Sequence, residues 1–400
     1  MELYDILHGS DAFYTQSNYI EKAKEEFKTN QSPAPTHVIE TGNKVWRIAQ
    51  QVLFTVGCLC LCYMLMHKLG SFFEFFRNYG LPLVPSVLQL ALFPFTLPHL
   101  IHGLIGLATV PGSVLSFFVS SSWRKEIDIE GLNEEGFKVK RFSIEVDGYT
   151  IDAMMIGRNL ASDRWMLMSG GNGELYEALG CPDYGQYIQA NLTSFLDGLK
   201  TNAILFNYAG VGASSGLPNR DIMIKAYKAL LEILEEDIKA KTIFGYGHSI
   251  GGGVQAEALK NHEFKKDIRY LFMKSRTFTD FADTAADVLF KPLDKLLRFV
   301  NWNFETLKCS TELKCPELIF QTTSAHFYED ISKYIESIIA DPLISPAVAL
   351  AQGLLSQDTS WKHKFFMGIR ERHNDGIPFV NGRIAKKVEE MLDAYYGKKA

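Results

Sequence analysis

From about residue 125 onward the chain alternates short β-type runs with amphipathic helical stretches, and this alternation restricts the fold more than any other feature. A strand followed by a helix before each next strand leads to a mostly parallel sheet with helices on both faces. Eight runs read as strands: Lys138 to Val146, Thr150 to Ile156, Trp165 to Ser169, Ala203 to Tyr208, Thr242 to Tyr246, Ile268 to Met273, Glu317 to Gln321 and Lys364 to Ile369. Asp147-Gly148 between the first two is a hairpin signal, so the sheet is expected to open with an antiparallel pair. Helices are expected at Tyr176 to Leu196, Arg220 to Glu236, Val254 to Lys260, Asp280 to Phe299, Asp330 to Ala340 and Ile384 to Tyr395. In Ile222, Ala226, Ala229, Leu230 and Ile233 the apolar residues recur at three and four, the spacing of one buried helix face.

The remainder, residues 1–124, has a different character. A polar start carries a Ser/Pro/Thr-rich linker at Ser32-Pro33-Ala34-Pro35-Thr36, and Val52 to Met66 follows without a charge. That run is longer than a short core helix needs and shorter than the roughly 20 residues of a membrane span. From Asn78 to Trp123 there is no Asp, Glu, Lys or Arg, yet Pro82, Pro85, Pro94, Pro98 and Pro111 would split any helix into pieces. Two readings stand side by side: an interfacial or re-entrant segment that brings residues 52–119 to a membrane, or short helices packed on the body as a lid. The expected organisation is a hydrophobic, mostly helical region over 1–124 and a catalytic-type domain over 125–400.

Composition narrows the partners. At 47% hydrophobic and 22% charged, 400 residues describe a folded chain, and a net charge of -5 without a basic stripe argues against nucleic acid. The six cysteines include the alternating Cys58, Cys60 and Cys62 and the scattered Cys181, Cys309 and Cys315; none shows zinc-type spacing, so reduced thiols are expected and no metal is implied. The acidic start, Met1-Glu2-Leu3-Tyr4-Asp5, does not read as a signal peptide, and a cytosolic or membrane-associated setting is expected.

Chemistry concentrates at Gly247-His248-Ser249-Ile250-Gly251, a GxSxG pentapeptide at the end of an apolar run. A serine lifted out of the end of a buried strand needs a very tight turn, and glycines on both sides give the backbone room to make it. Ser249 therefore reads as a nucleophile, against the plainer alternative of a glycine-rich βα turn. Two further glycine loops follow successive strands: Ser169-Gly170-Gly171-Asn172-Gly173-Glu174 after the third, and Tyr208-Ala209-Gly210-Val211-Gly212-Ala213-Ser214-Ser215-Gly216 after the fourth. Together with the pentapeptide, they resemble the α/β-hydrolase superfamily, whose fold is an eight-stranded, mostly parallel sheet with helices on both faces.

The resemblance implies a Ser-acid-His order along the chain. Ser249 would attack, with backbone N–H groups of Ile250 and of Gly171 or Asn172 holding the oxyanion. His373, in Arg370-Glu371-Arg372-His373-Asn374-Asp375 directly after the last strand, fits the base. The acid should follow the seventh strand, but the chain there departs from the family's HGxxD, so Asp330 is the expected acid, Glu329 the second choice and Asp280 the third. Residues 140 to 395 look like the branch that includes membrane-associated depalmitoylating thioesterases, on the GHSIGGG elbow, Arg276-Thr277-Phe278-Thr279-Asp280-Phe281 and His373-Asn374-Asp375. In layout the chain is also similar to SidB-type effectors of Legionella and hydrolase-like proteins of Chlamydia, a resemblance that implies delivery into a host cell. The expected function is hydrolysis of ester or thioester bonds in lipid or acylated substrates, with no cofactor. A non-catalytic module of the same fold that binds lipid or a host protein is the alternative, and the amino-terminal third as a membrane-targeting device is a third.

Overall fold

The computed structural model describes residues 102–113, 136–159, 161–176, 192–324, 330–333, 335–341, 343–357, 363–377 and 382–397. The run from Val52 to Met66, the linker at 32–36 and most of the expected helix from Tyr176 to Leu196 lie outside these residues, as does Glu329. Among the described residues no helix is long and apolar enough to cross a membrane.

All eight expected strands form: β1 (Lys138–Val146), β2 (Tyr149–Gly157), β3 (Arg164–Ser169), β4 (Asn202–Phe206), β5 (Thr242–His248), β6 (Arg269–Ser275), β7 (Glu317–Thr322) and β8 (Lys364–Ile369). They make one sheet in the order β1-β2-β4-β3-β5-β6-β7-β8, the α/β-hydrolase arrangement. β1 pairs antiparallel with β2 around the Asp147-Gly148 turn, β2 runs antiparallel to β4, and β3 to β8 are parallel. Because those six strands share a direction, the loops leaving β3, β5, β6, β7 and β8 gather along one edge of the sheet.

Alternate residues of a strand feed opposite faces. Ile151, Ala153 and Met155 of β2 join one core, and Met154 and Ile156 the other. The helices are α1 (102–109), α2 (192–199), α3 (Arg220–Glu232), α4 (Ile250–Leu259), α5 (Phe281–Val288), α6 (Leu293–Phe299), α7 (Thr306–Glu312), α8 (Leu350–Leu355) and α9 (Arg383–Tyr396). α3 puts Ile222, Ala226, Ala229 and Leu230 into the first core, as its spacing requires, and the Asn219 side chain caps its start by accepting from the N–H groups of Asp221 and Ile222. α9 covers the other face with Ile384, Val388 and Leu392, four residues apart.

Three helix expectations change. The run from Asp280 to Phe299 is two helices, because Pro292 cannot continue the first. α4 starts at Ile250 rather than Val254, so it includes three glycines. The stretch from Asp330 to Ala340 forms two short 3-10 turns, Ile331–Lys333 and Ile335–Ser337, because backbone bridges from Asp330 to Met367 and from Thr323 to Ile338 hold it along the sheet edge. α1 and the residues just after it, which fall inside the region set apart as 1–124, pack on the body: the Trp302 indole N–H donates to His102 O, and Gly112 N–H donates to Asn172 O in the loop after β3.

Across β6, β7 and β8 the ammonium groups of Lys274 and Lys364 both bind the Glu317 carboxylate, and Lys274 and Glu317 are wholly buried. Burial alone would raise the Glu317 pKa, but the two lysines outweigh it and the carboxyl lies below its usual range. Its contribution to stability is therefore complete above the unfolded value of about 4.3 and is lost as pH falls through the lower native value. Glu317→Gln strands two buried cations, and we expect it to destabilise the fold by about 3–5 kcal/mol, read as a lowered urea midpoint.

Candidate active site

Ser249 sits between β5 and α4 with φ 53° and ψ -120°, a conformation few non-glycine residues adopt. The glycines around it are there for space. A Cβ on Gly251 would lie 2.1 Å from Ser169 O, and one on Gly247 would lie 2.7 Å from Gly251 O. Both faces of the elbow are tied down: Ser249 N–H donates to Ser275 O at 3.0 Å, and the Thr277 hydroxyl donates to Ser249 O at 2.7 Å.

The Ser249 side chain meets His373 from the loop after β8, with Oγ 2.9 Å from Nε2. On the other side of the ring, Nδ1 lies 3.0 Å from Oδ2 of Asp341. An ionised carboxylate only accepts, so Nδ1 carries the proton and Nε2 is left to accept from the serine hydroxyl. Both residues are buried, His373 at 1% exposed and Ser249 at 8%. Burial works to raise the Asp341 pKa, but the hydrogen bond from His373, its charge, and the N–H groups of Leu343 and Ile344 overcome it and hold the carboxyl below its usual range.

The expected acid is thus corrected. Asp330 accepts from Ser332 N–H at 3.0 Å and its backbone bridges Met367, whereas the carboxylate against His373 belongs to Asp341. Between Thr322 and Asp341 the chain makes a long excursion through the two 3-10 turns, which displaces the acid down the sequence. Asp280 is elsewhere again: it caps α5 through Asp283 N–H and pairs with Arg298 at 3.0 Å. The one sequence hint of Asp341 is Asp341-Pro342, a pair that favours turn initiation, directly before an apolar residue.

Of the expected oxyanion donors, Ile250 N–H lies in the first turn of α4, where no intrahelical acceptor exists. Gly171 N–H, in contrast, donates to Oε2 of Glu174 at 2.6 Å, so its hydrogen is already engaged within the loop. The neighbouring Asn172 offers its carbonyl to Gly112 N–H. The Glu174 side chain is about half exposed, and its Oε1 lies 3.7 Å from Nε2 of His248. The glycine loop after β4 braces this region, since the Tyr208 hydroxyl donates to Gly170 O at 2.7 Å and Ser214 Oγ accepts from Asp152 N–H. Among the described residues no group of acidic, histidine and cysteine side chains could hold a metal ion.

Known proteins resemble this chain at several levels. The family described as Chlamydia CHLPS protein (DUF818) matches residues 95–395, well over half of the sequence. The alpha/beta hydrolase domain-containing protein WAV2 of Arabidopsis thaliana is 35% identical over 106 residues, 26% of this chain and 31% of that protein, so the match spans under a third of the relative's length. Solved structures similar to this chain include an esterase of Pyrococcus furiosus, at 16% identity and a TM-score of 0.47 over 67% of this chain and 94% of that one. Another is an alpha-beta hydrolase from Vibrio vulnificus, at 13% identity and a TM-score of 0.46 over 66% of this chain and 84% of that one.

Proposed function

The chain belongs to the Chlamydia CHLPS protein (DUF818) family, and from that premise and the geometry at Ser249 we propose that it is a serine hydrolase cleaving ester or thioester bonds of lipid or acylated substrates. The observation that carries the reading is the continuous hydrogen-bonded series from Ser249 Oγ through His373 to Asp341. Oγ attacks the acyl carbon as its proton passes to Nε2; the imidazolium, held by Asp341, then protonates the leaving oxygen or sulfur. Water, deprotonated by the same nitrogen, attacks the acyl carbon, and the proton passes on to Oγ as the acid leaves Ser249. Ile250 N–H is one donor to the oxyanion, and a second at Gly171 requires the substrate oxygen to displace Glu174. The alternative, a non-catalytic module of the same fold, would rest on the departure from HGxxD after β7; the Asp341 carboxylate against His373 favours the hydrolase.

The acyl preference is supported by an apolar surface on the same side of the sheet. Leu289 and Phe290, 68% and 57% exposed, stand in the turn between α5 and α6, and Phe299, 81% exposed, ends α6. The end of α5 is tied to the loop that follows Asp341, where Ser345 Oγ donates to Asp287 Oδ2 at 2.6 Å, and Ile339 and Leu343 beside the acid are themselves exposed. Long alkyl chains can bury against these side chains, at roughly 0.8 kcal/mol for each methylene. With p-nitrophenyl esters we expect kcat/KM to rise about tenfold or more from acetate to decanoate, and Phe290→Asp with Phe299→Asp to abolish that rise while sparing the acetate. A profile that is flat or falls with chain length contradicts the acyl reading. Membrane contact through residues 52–119 and delivery into a host cell belong to the same proposal, and recovery of the whole protein in the soluble fraction after a carbonate wash without detergent would count against the former.

A further inference from the structure

The guanidinium of Arg276 is 2% exposed at the end of β6, and no carboxylate lies within ion-pair distance of it among the described residues. Arginine does not give up its proton, so among the described residues a full positive charge is buried on neutral acceptors. Those acceptors are specific. Nη1 donates to the carbonyl oxygens of both Arg372 and Asp375, the latter at 2.7 Å, and Nε lies 3.1 Å from Ser275 Oγ. Residues 372–375 form a turn closed by Asp375 N–H donating to Arg372 O and by Arg372 N–H donating to the Asp375 carboxylate, and His373 lies inside that turn.

The residues on either side of Arg276 hold the nucleophile. Ser275 O accepts Ser249 N–H, and the Thr277 hydroxyl donates to Ser249 O. Three consecutive residues thus grip the elbow twice and the histidine turn twice. The backbone is bent to do so: Arg276 has φ 44°, a left-handed conformation that a long side chain adopts at a cost, and its N–H is locked onto Phe320 O of β7. A glycine would suit that backbone better, so the side chain is what the position requires.

Resting on the hydrolase reading, we infer that Arg276 is a positioning residue that sets the separation of His373 from Ser249 by clamping the 372–375 turn to the end of β6. Its charge also reaches the rest of the site: it opposes ionic forms at His248, where burial and Arg276 together lower the imidazole pKa, and it favours the ionised form of Glu174. The clamp demands a planar fork that reaches two carbonyls and a hydroxyl together, which an ammonium does not provide.

The test compares wild type, Arg276→Ala and Arg276→Lys in the full chain, with thermal melting as the check on folding. Arg276→Ala should lower kcat for a p-nitrophenyl ester by about 10²-fold with KM changed less than threefold, because binding survives while the attack geometry does not. The low-field proton resonance of His373 Nδ1–H, assigned by its loss in His373→Gln, should broaden or vanish in the same variant. About 50 mM guanidinium, far below denaturing concentrations, should restore both readouts, and equal sodium chloride should restore neither. Should the alanine variant fail to fold, Arg276→Lys carries the test, with an expected kcat loss of about tenfold or more. Wild-type kcat and resonance in either folded variant would overturn the inference, as would a loss in folded Arg276→Ala that guanidinium leaves unchanged. Failure of the hydrolase reading looks different: wild type would not turn over the ester, while the resonance would still report whether Arg276 holds His373.

Discussion

Ser249→Ala is expected to reduce kcat/KM on a p-nitrophenyl ester by about 10⁵-fold or more, leaving only what binding and the oxyanion donors contribute. The magnitude follows from the coupling of the three side chains, since without Oγ neither His373 nor Asp341 has a reaction to serve. The fold should tolerate the change. Alanine fits the space, keeps both backbone hydrogen bonds that hold residue 249, and should shift stability by no more than about 1 kcal/mol. Loss of activity together with an unchanged melting temperature is therefore the expected pair of results.

The second large effect separates the acid found in the structure from the one expected along the sequence. Asp341→Asn should lower kcat by about 10⁴-fold, because an amide beside Nδ1 can present N–H instead of a carboxylate oxygen and favour the tautomer with its proton on Nε2. In that tautomer Nε2 donates and can no longer take the serine proton. Asp330→Asn, by contrast, alters only a local turn that closes on Ser332 N–H and should stay within about twofold of wild type. Equal losses in the two variants, or the larger loss in Asp330→Asn, would contradict the assignment.

The sheet was legible because each parallel strand is a short apolar run that ends in turn chemistry, and β2 and β6 supply side chains to both cores in strict alternation. Ser249 and His373 were legible for a related reason: Ser249 directly follows β5 and His373 lies in the loop that leaves β8, so the place of each in the fold is fixed once the strand is found. Asp341 was hidden because a long segment separates it from β7, and tertiary pairing with Met367 and Thr323 overrides the helical pattern of that segment. The early start of α4 was hidden too. Three successive glycines each disfavour helix by about 1 kcal/mol, and the approach of Ser169 O and Gly170 O to Gly251 explains why that position cannot carry a side chain. The engagement of Gly171 N–H by Glu174 leaves no trace in spacing at all, since it depends on a side chain folding back within its own loop.

Arg276 illustrates how function adjoins strain. Ser249 and Arg276 both have positive φ, each just past the end of one of two neighbouring strands, and Ser249 N–H donates to the carbonyl of the residue immediately before Arg276. Local preference is sacrificed at both positions where the structure aims a side chain at the histidine or its turn.

The most direct measurement is the mass of the protein after exposure to a fluorophosphonate, followed by peptide mapping of the adduct. A single phosphonyl group on the peptide carrying Ser249, absent in Ser249→Ala and strongly slowed in Asp341→Asn, is the predicted result. An unmodified wild-type protein, or an adduct on any other residue, would contradict the assignment of Ser249 as the nucleophile.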